Sequence, residues 1–199
     1  MNYLAHLFLS EPTPESMIGN FLGDFVKGSL ESRYTEEIRR GIDLHRKVDI
    51  YTDSHPIFCA SKRIIAPERR RFAGILIDVF YDHFLAKNWH KYSDISLVDF
   101  SQNFYQALQD CQNILPESVK LRLPQIIGCD VLRSYQEISG IDRALQSISA
   151  RFKRVNNLAD GLEDLESNYQ QIGSDFAVLF PDAIDYVTSY RSQIDIIQL

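Results

Sequence analysis

All five histidines of the chain, His6, His45, His55, His83 and His90, fall within its first 90 residues, and none follows. They are interleaved with Asp24, Asp49, Asp53, Asp78 and Asp82. Imidazole nitrogen and carboxylate oxygen are the usual donor set for a divalent metal that assists hydrolysis. Two stretches are densest: Asp43-Leu44-His45-Arg46-Lys47-Val48-Asp49 and Asp78-Val79-Phe80-Tyr81-Asp82-His83. Several helices converging on one His/Asp cluster point to a metal-dependent hydrolase. Other chemistries lack their signatures: there is no Gly-x-Ser-x-Gly elbow, no phosphate-cradling or dinucleotide glycine motif, and no Glu-x-x-His pair of the di-iron type.

The elements that must position these groups read as helices. The stretch from Phe72 to Ala86 is apolar on nearly every side and should be buried. Besides Tyr81, its ionisable groups are Asp78, Asp82 and His83. Asp78 and Asp82 are four apart and share a face, while His83 projects about 100° further round than Asp82. Burying a lone carboxylate costs several kcal/mol, so a cation or hydrogen-bond donors must compensate. A metal site and a buried network tying helices together both satisfy that requirement.

A second helix carries Ile38, Ile42, His45 and Asp49 at i, i+4, i+7 and i+11, one continuous stripe whose apolar part should face the core. His45 and Asp49 should therefore continue inward, either sharing an ion or with Asp49 orienting the imidazole. Asp53 follows one turn later. Asp24 is the lone acid of the apolar run Met17–Val26, with Asn20 four residues before it. His6 lies within Tyr3-Leu4-Ala5-His6-Leu7-Phe8-Leu9, where a satisfied core histidine and a ligand are equally in keeping with the pattern. His55 and His90 sit near helix ends and read as exposed or capping residues.

The chain has 199 residues, 45% hydrophobic and 24% charged, as expected of one all-α, compact, multi-helix domain over residues 1–199. No strand-type alternation is sustained. Thr13-Pro14 opens a helix that is expected to end at Gly28, with Gly19 and Gly23 admitting a close neighbour. Thr35 precedes Glu36-Glu37 as the next start, and Pro67-Glu68 opens a helix expected to reach about Tyr92. Ser96-Leu97-Val98-Asp99 resembles a capping box. Pro116, Pro124, Gly128, Gly140 and Pro181 punctuate the rest, and residues 141–179 form one helix or two joined near Asn156-Asn157.

No apolar run approaches the ~20 residues of a membrane span, and the N-terminal run is too short and polar for a secretory signal. The three separated cysteines, Cys59, Cys111 and Cys129, suit a reducing cytoplasm. A net charge of −6 argues against nucleic acid as partner. Residues 36–71 nevertheless hold nine basic against six acidic side chains, a net +3 that leaves −9 for the remainder. This is either a solvated helical face or a basic rim for a phosphate or an acidic protein.

At four of these segments the chain resembles the acyl carrier protein phosphodiesterase (acyl carrier protein hydrolyase) family, distant relatives of the HD-type phosphohydrolases. The segments are Asn2-Tyr3-Leu4-Ala5-His6-Leu7, the run Gly19-Asn20-Phe21-Leu22-Gly23-Asp24-Phe25-Val26-Lys27-Gly28, then Gly41-Ile42-Asp43-Leu44-His45-Arg46-Lys47-Val48-Asp49 with Thr52-Asp53, and Phe80-Tyr81-Asp82-His83-Phe84-Leu85. Ile148-Ser149-Ala150-Arg151 and Phe180-Pro181-Asp182 match more weakly. Phe8 stands where many members carry a second histidine, and Asn157 where a proline is common.

The resemblance implies an HD-phosphohydrolase-like helical fold and hydrolysis of the phosphodiester that joins 4′-phosphopantetheine to a serine of holo-acyl carrier protein. It implies a divalent cofactor, manganese in preference and magnesium as the alternative. Residues and resemblance together lead us to expect metal ligation by Asp24, His45, Asp82 and His83, with Asp78 in or next to the coordination shell. Asp49 and Asp53 would orient His45 or the attacking water, and His6 would act as an acid or a further ligand. Arg46 and Lys47 would contact phosphate or the acidic carrier. The rival readings are a metal phosphohydrolase for a nucleotide or other small phosphodiester, and a non-catalytic module that binds carrier protein.

Overall fold

A computed structural model describes the backbone of residues 1–28 and 33–197 and side chains up to residue 193. Twelve α-helices follow one another among the described residues, with no strand: α1 (Tyr3–Phe8), α2 (Pro14–Leu22), α3 (Glu36–Ser54), α4 (Pro56–Ile64), α5 (Ala73–Lys87), α6 (Leu97–Asp110), α7 (Glu117–Lys120), α8 (Leu123–Gly128), α9 (Val131–Ser134), α10 (Ile138–Ser149), α11 (Leu162–Ser167) and α12 (Tyr169–Ile197). None of them is long and apolar enough to cross a membrane. The all-α reading of the sequence is what the chain adopts.

The apolar helix α5 sits at the centre, packed against α1, α4, α10 and α12. Its leucine, isoleucine, valine and aromatic side chains belong to one continuous core that runs from Met1 to Val187. A helix without a polar face cannot lie at a surface, and here its neighbours cover it on several sides. Helices α2 and α3 cross at close range beside it. A Cβ on Gly19 would lie 2.3 Å from the Ile38 carbonyl oxygen, and one on Gly41 would lie 2.7 Å from that of Ser16. Two glycines therefore set the depth at which α3, with its histidine, enters the fold.

The start signals act as read. The hydroxyls of Thr13, Thr35 and Ser96 accept from the backbone N–H groups of Ser16, Ile38 and Asp99, satisfying amides that a helix start leaves free. Four boundaries differ, one of them in residues 141–179, which divide among α10, α11 and the start of α12 instead of forming one helix or two. Helix α2 stops at Leu22 instead of Gly28, and the chain turns through Gly23-Asp24-Phe25, which leaves Asp24 outside a helical face. Pro67–Phe72 forms a 3₁₀ turn before α5, so the expected helix to Tyr92 is shorter. There Arg69 is drawn into an ion pair with Asp164. Pro181 interrupts nothing: α12 runs through it, because buried Phe176, Phe180, Ala183 and Val187 hold one face of the helix to the core on both sides of the proline.

Candidate active site

The centre lies where α1, the turn after α2, α3 and α5 meet. His6 and His45 are both buried, and their rings stack with centroids 3.7 Å apart and planes inclined by 20°. Asp49 bridges them: one carboxylate oxygen is 3.0 Å from His6 Nε2, the other 3.2 Å from His45 Nε2. Asp24 Oδ1 approaches His45 Nε2 to 3.5 Å from the far side. Asp78 reaches the rim through the Met1 ammonium, which is 3.0 Å from its Oδ1 and 3.5 Å from Asp49 Oδ1. The histidines form a buried floor, and the carboxylates of Asp24, Asp49 and Asp78 form a partly open rim whose side chains are 44%, 39% and 27% exposed.

Local sequence explains each placement. The stripe Ile38, Ile42, His45, Asp49 turns inward as its apolar half predicts, so His45 lies below the surface and Asp49 at its edge. Gly23 leaves the space that the His45 ring fills, since a Cβ there would come within 2.2 Å of His45 Cγ. Helix α1 has no side-chain cap of its own, and Asp82 supplies one from α5: its oxygens accept from the amides of Leu4 at 2.8 Å and Ala5 at 3.0 Å. That anchoring fixes His6, the next residue of the same helix.

The electrostatics follow from burial and pairing. Burial disfavours a charged His45, but its contacts with Asp24 and Asp49 outweigh this and push its pKa up to about 9. Burial and the adjacent His45 push His6 down to about 4, against the pull of Asp49. Asp49, half-buried, is held well below the usual carboxylate range by its bonds to both histidines. Burial raises Asp78 despite the ammonium beside it, and pushes Asp82 up to about 7 despite its two amide donors.

His6, His45 and Asp49 each offer a ligand atom within 4.8 Å of the others, a grouping suited to one metal ion. The Nδ1 atoms of both histidines are buried without a hydrogen-bond partner among the described residues, while both Nε2 atoms face the same carboxylate. Two convergent imidazole nitrogens, a bridging carboxylate and a second acid at the rim are donors of the type that hydrolytic divalent ions accept. These residues fit such an ion.

Of the residues singled out from the sequence, His6, Asp24, His45, Asp49 and Asp78 come together here. Asp82 and His83 do not reach the cluster. Asp82 is fully buried under α1, and His83 points away towards α9 and α12. There its Nδ1 lies 2.8 Å from the Tyr135 carbonyl and its Nε2 2.8 Å from the Tyr169 hydroxyl. Asp53 is exposed, 4.0 Å from Lys62 Nζ. Arg46 donates to the carbonyl of Val26, holding the turn that carries Asp24, and Lys47 is exposed. His55 caps α4 and meets Asp182 at 3.3 Å. The Met1 ammonium was not foreseen, because no periodic pattern reports where a chain end packs.

Fold and site define an all-helical protein with a His/Asp centre open to solvent along a carboxylate rim. The chain matches the family model for acyl carrier protein phosphodiesterase over residues 1–183, and it belongs to that family. It is 35% identical over 185 residues to the acyl carrier protein phosphodiesterase of Klebsiella pneumoniae (strain 342), covering 91% of this chain and 94% of that one. The proteins of that name from Serratia proteamaculans (strain 568) and Escherichia coli O6:H1 are 34% and 32% identical, with the same coverage. No solved structure matches the chain.

Proposed function

We propose that this protein is a metal-dependent phosphodiesterase. It would cleave the bond between 4′-phosphopantetheine and the carrier serine of holo-acyl carrier protein, giving apo-carrier protein and free 4′-phosphopantetheine. Membership of the family supports the substrate, and the convergence of His6, His45 and Asp49 on one point carries the reaction class. His6, His45, Asp49 and Asp24 would hold a divalent cation, manganese in preference to magnesium. Such an ion supplies Lewis acidity: it neutralises phosphoryl charge and acidifies a water.

The chain's own groups do the rest. Asp49 holds both imidazoles by their Nε2 atoms and fixes their orientation. His6, with its pKa near 4, is neutral at pH 7, the form in which an imidazole nitrogen can ligate a cation. Asp78, its acidity weakened by burial, pairs with the Met1 ammonium at the rim beside Asp49. Asp82 acts from beneath by fixing α1. Lys47 and the other basic residues of 36–71 would steer an acidic carrier to this face. The three cysteines are unpaired, which suits the cytoplasm in which we place the protein.

The test is to incubate the purified protein with holo-acyl carrier protein, with and without manganese, and weigh the carrier. Loss of the phosphopantetheine mass only with metal supports the reading. An unchanged carrier beside a cleaved small phosphodiester would replace it with a small-substrate phosphohydrolase.

A further inference from the structure

A cavity adjoins the centre through Tyr3 and Phe25, which neighbour His6 and Asp24 along the chain. It encloses about 110 Å³ between the N-terminal part of α1 and helices α8 to α10. At ~10–15 Å³ per enclosed water, that is room for on the order of eight water-sized groups. Its walls are the apolar bodies of Phe25, Val119, Ile126 and Ile148, with polar atoms from Gln125 and Ser147.

Three arginines, Arg122, Arg143 and Arg151, line the same cavity. Among the described residues, none of the three has a carboxylate within ion-pair distance. This is unlike Arg69, which meets Glu68, Glu163 and Asp164. Arg151 Nη1 donates to the Tyr3 hydroxyl at 3.3 Å. Three guanidinium groups without an acidic partner beside an apolar wall suit an anion joined to an apolar or amide-bearing tail.

The position relative to the centre narrows the ligand. Tyr3 and Phe25 form the shared wall, their rings stacked at 6.3 Å. Tyr3 stands one turn before His6 on α1, and Phe25 directly follows Asp24. The acidic side of this wall suits a cation, and the basic side suits an anion. A phosphodiester at the boundary would meet both.

We infer that this cavity seats the phosphate end of the 4′-phosphopantetheine arm: Arg122, Arg143 and Arg151 hold its phosphate, and the apolar walls take the stretch of chain next to it. The inference rests on the proposed reaction for its ligand. It also assigns direction, with the tail running towards α8 and α10 and the carrier serine on the solvent side of the rim.

The direct test is calorimetric binding of free 4′-phosphopantetheine, alongside inorganic phosphate and pantetheine without phosphate. The cavity predicts that the whole arm binds at least tenfold more tightly than either fragment. Ser147→Trp, which fills the cavity from an exposed position, and Arg143→Ala, which removes one anion partner, should each weaken binding tenfold or more. A retained melting temperature would show that each variant folds. Equal binding of arm and phosphate, or unchanged affinity in both folded variants, would overturn the assignment. Because binding is read without turnover, failure of the reaction would appear separately, as an unchanged carrier mass with the unmodified protein.

Discussion

Gly23 and His45 occupy one volume between them: the glycine's missing side chain is the space in which the imidazole lies, 2.2 Å from where a Cβ would be. The ring is thereby held against His6 and presented to Asp49 and Asp24. Gly23→Ala must displace the ring or the turn. We expect a loss of about 1–3 kcal/mol in stability from overpacking. The response to divalent cations should fall with it, both read by thermal melts with and without manganese. Unchanged melting and an unchanged cation response would show that the ring is not held by this contact.

Cation binding itself should be visible as stabilisation. A ligand at one hundred times its dissociation constant adds about 2.7 kcal/mol to a native state that alone binds it. For a chain of this size that corresponds to roughly 5–10 °C in melting temperature. Asp49→Ala removes the bridge between the histidines and should abolish the shift. Asp24→Ala, which removes one of the four proposed ligands and its contact with His45, should weaken metal affinity by at least the ~10–100-fold typical of losing an outer-shell partner.

The metal-free protein should also lose stability in mildly alkaline solution. His45 has a folded pKa of about 9 against 6.5 for the free side chain. The proton it gains on folding stabilises fully below pH 6.5, and the contribution disappears as pH rises to 9. The loss is about 3 kcal/mol at ~1.4 kcal/mol per pKa unit. The Met1 ammonium, pushed up to about 10, adds its own loss only above pH 8. Chemical denaturation in chelator at pH 7 and pH 8 checks the slope, which His45→Gln should flatten.

Asp82 is a positioning residue. Removing it as Asp82→Ala leaves the Leu4 and Ala5 amides buried without acceptors, at a cost of about 2–4 kcal/mol. The same change loosens the helix that carries His6. Activity should fall together with stability, and lowering the temperature should recover part of it. A fully stable variant would contradict this role.

Helix content and the inward stripe of α3 were legible because periodicity reports which face is buried. Ile38 and Ile42 aim His45 into the core whatever lies opposite. The paired glycines at 19 and 23 likewise announced close approach. What periodicity cannot report is the partner. The spacing of Asp78, Asp82 and His83 is compatible with a metal site, yet only the third dimension places α1 over Asp82 and the Tyr135 carbonyl against His83. At α1 the residue types mislead: Asn2 is a favoured capping residue, yet its side chain donates to the Tyr135 hydroxyl and Asp82 accepts from the helix's free amides instead. The end of α2 was misplaced because Gly23 reads equally as a packing glycine inside a helix and as a stop.

The central claim is that His6, His45 and Asp49 form one cation centre that serves phosphodiester hydrolysis. The most direct test weighs holo-acyl carrier protein after incubation with manganese and either the unmodified protein or a folded Asp49→Ala variant. We predict that the carrier loses 4′-phosphopantetheine with the former and keeps it with the latter. Equal loss of the group with both proteins would contradict the account.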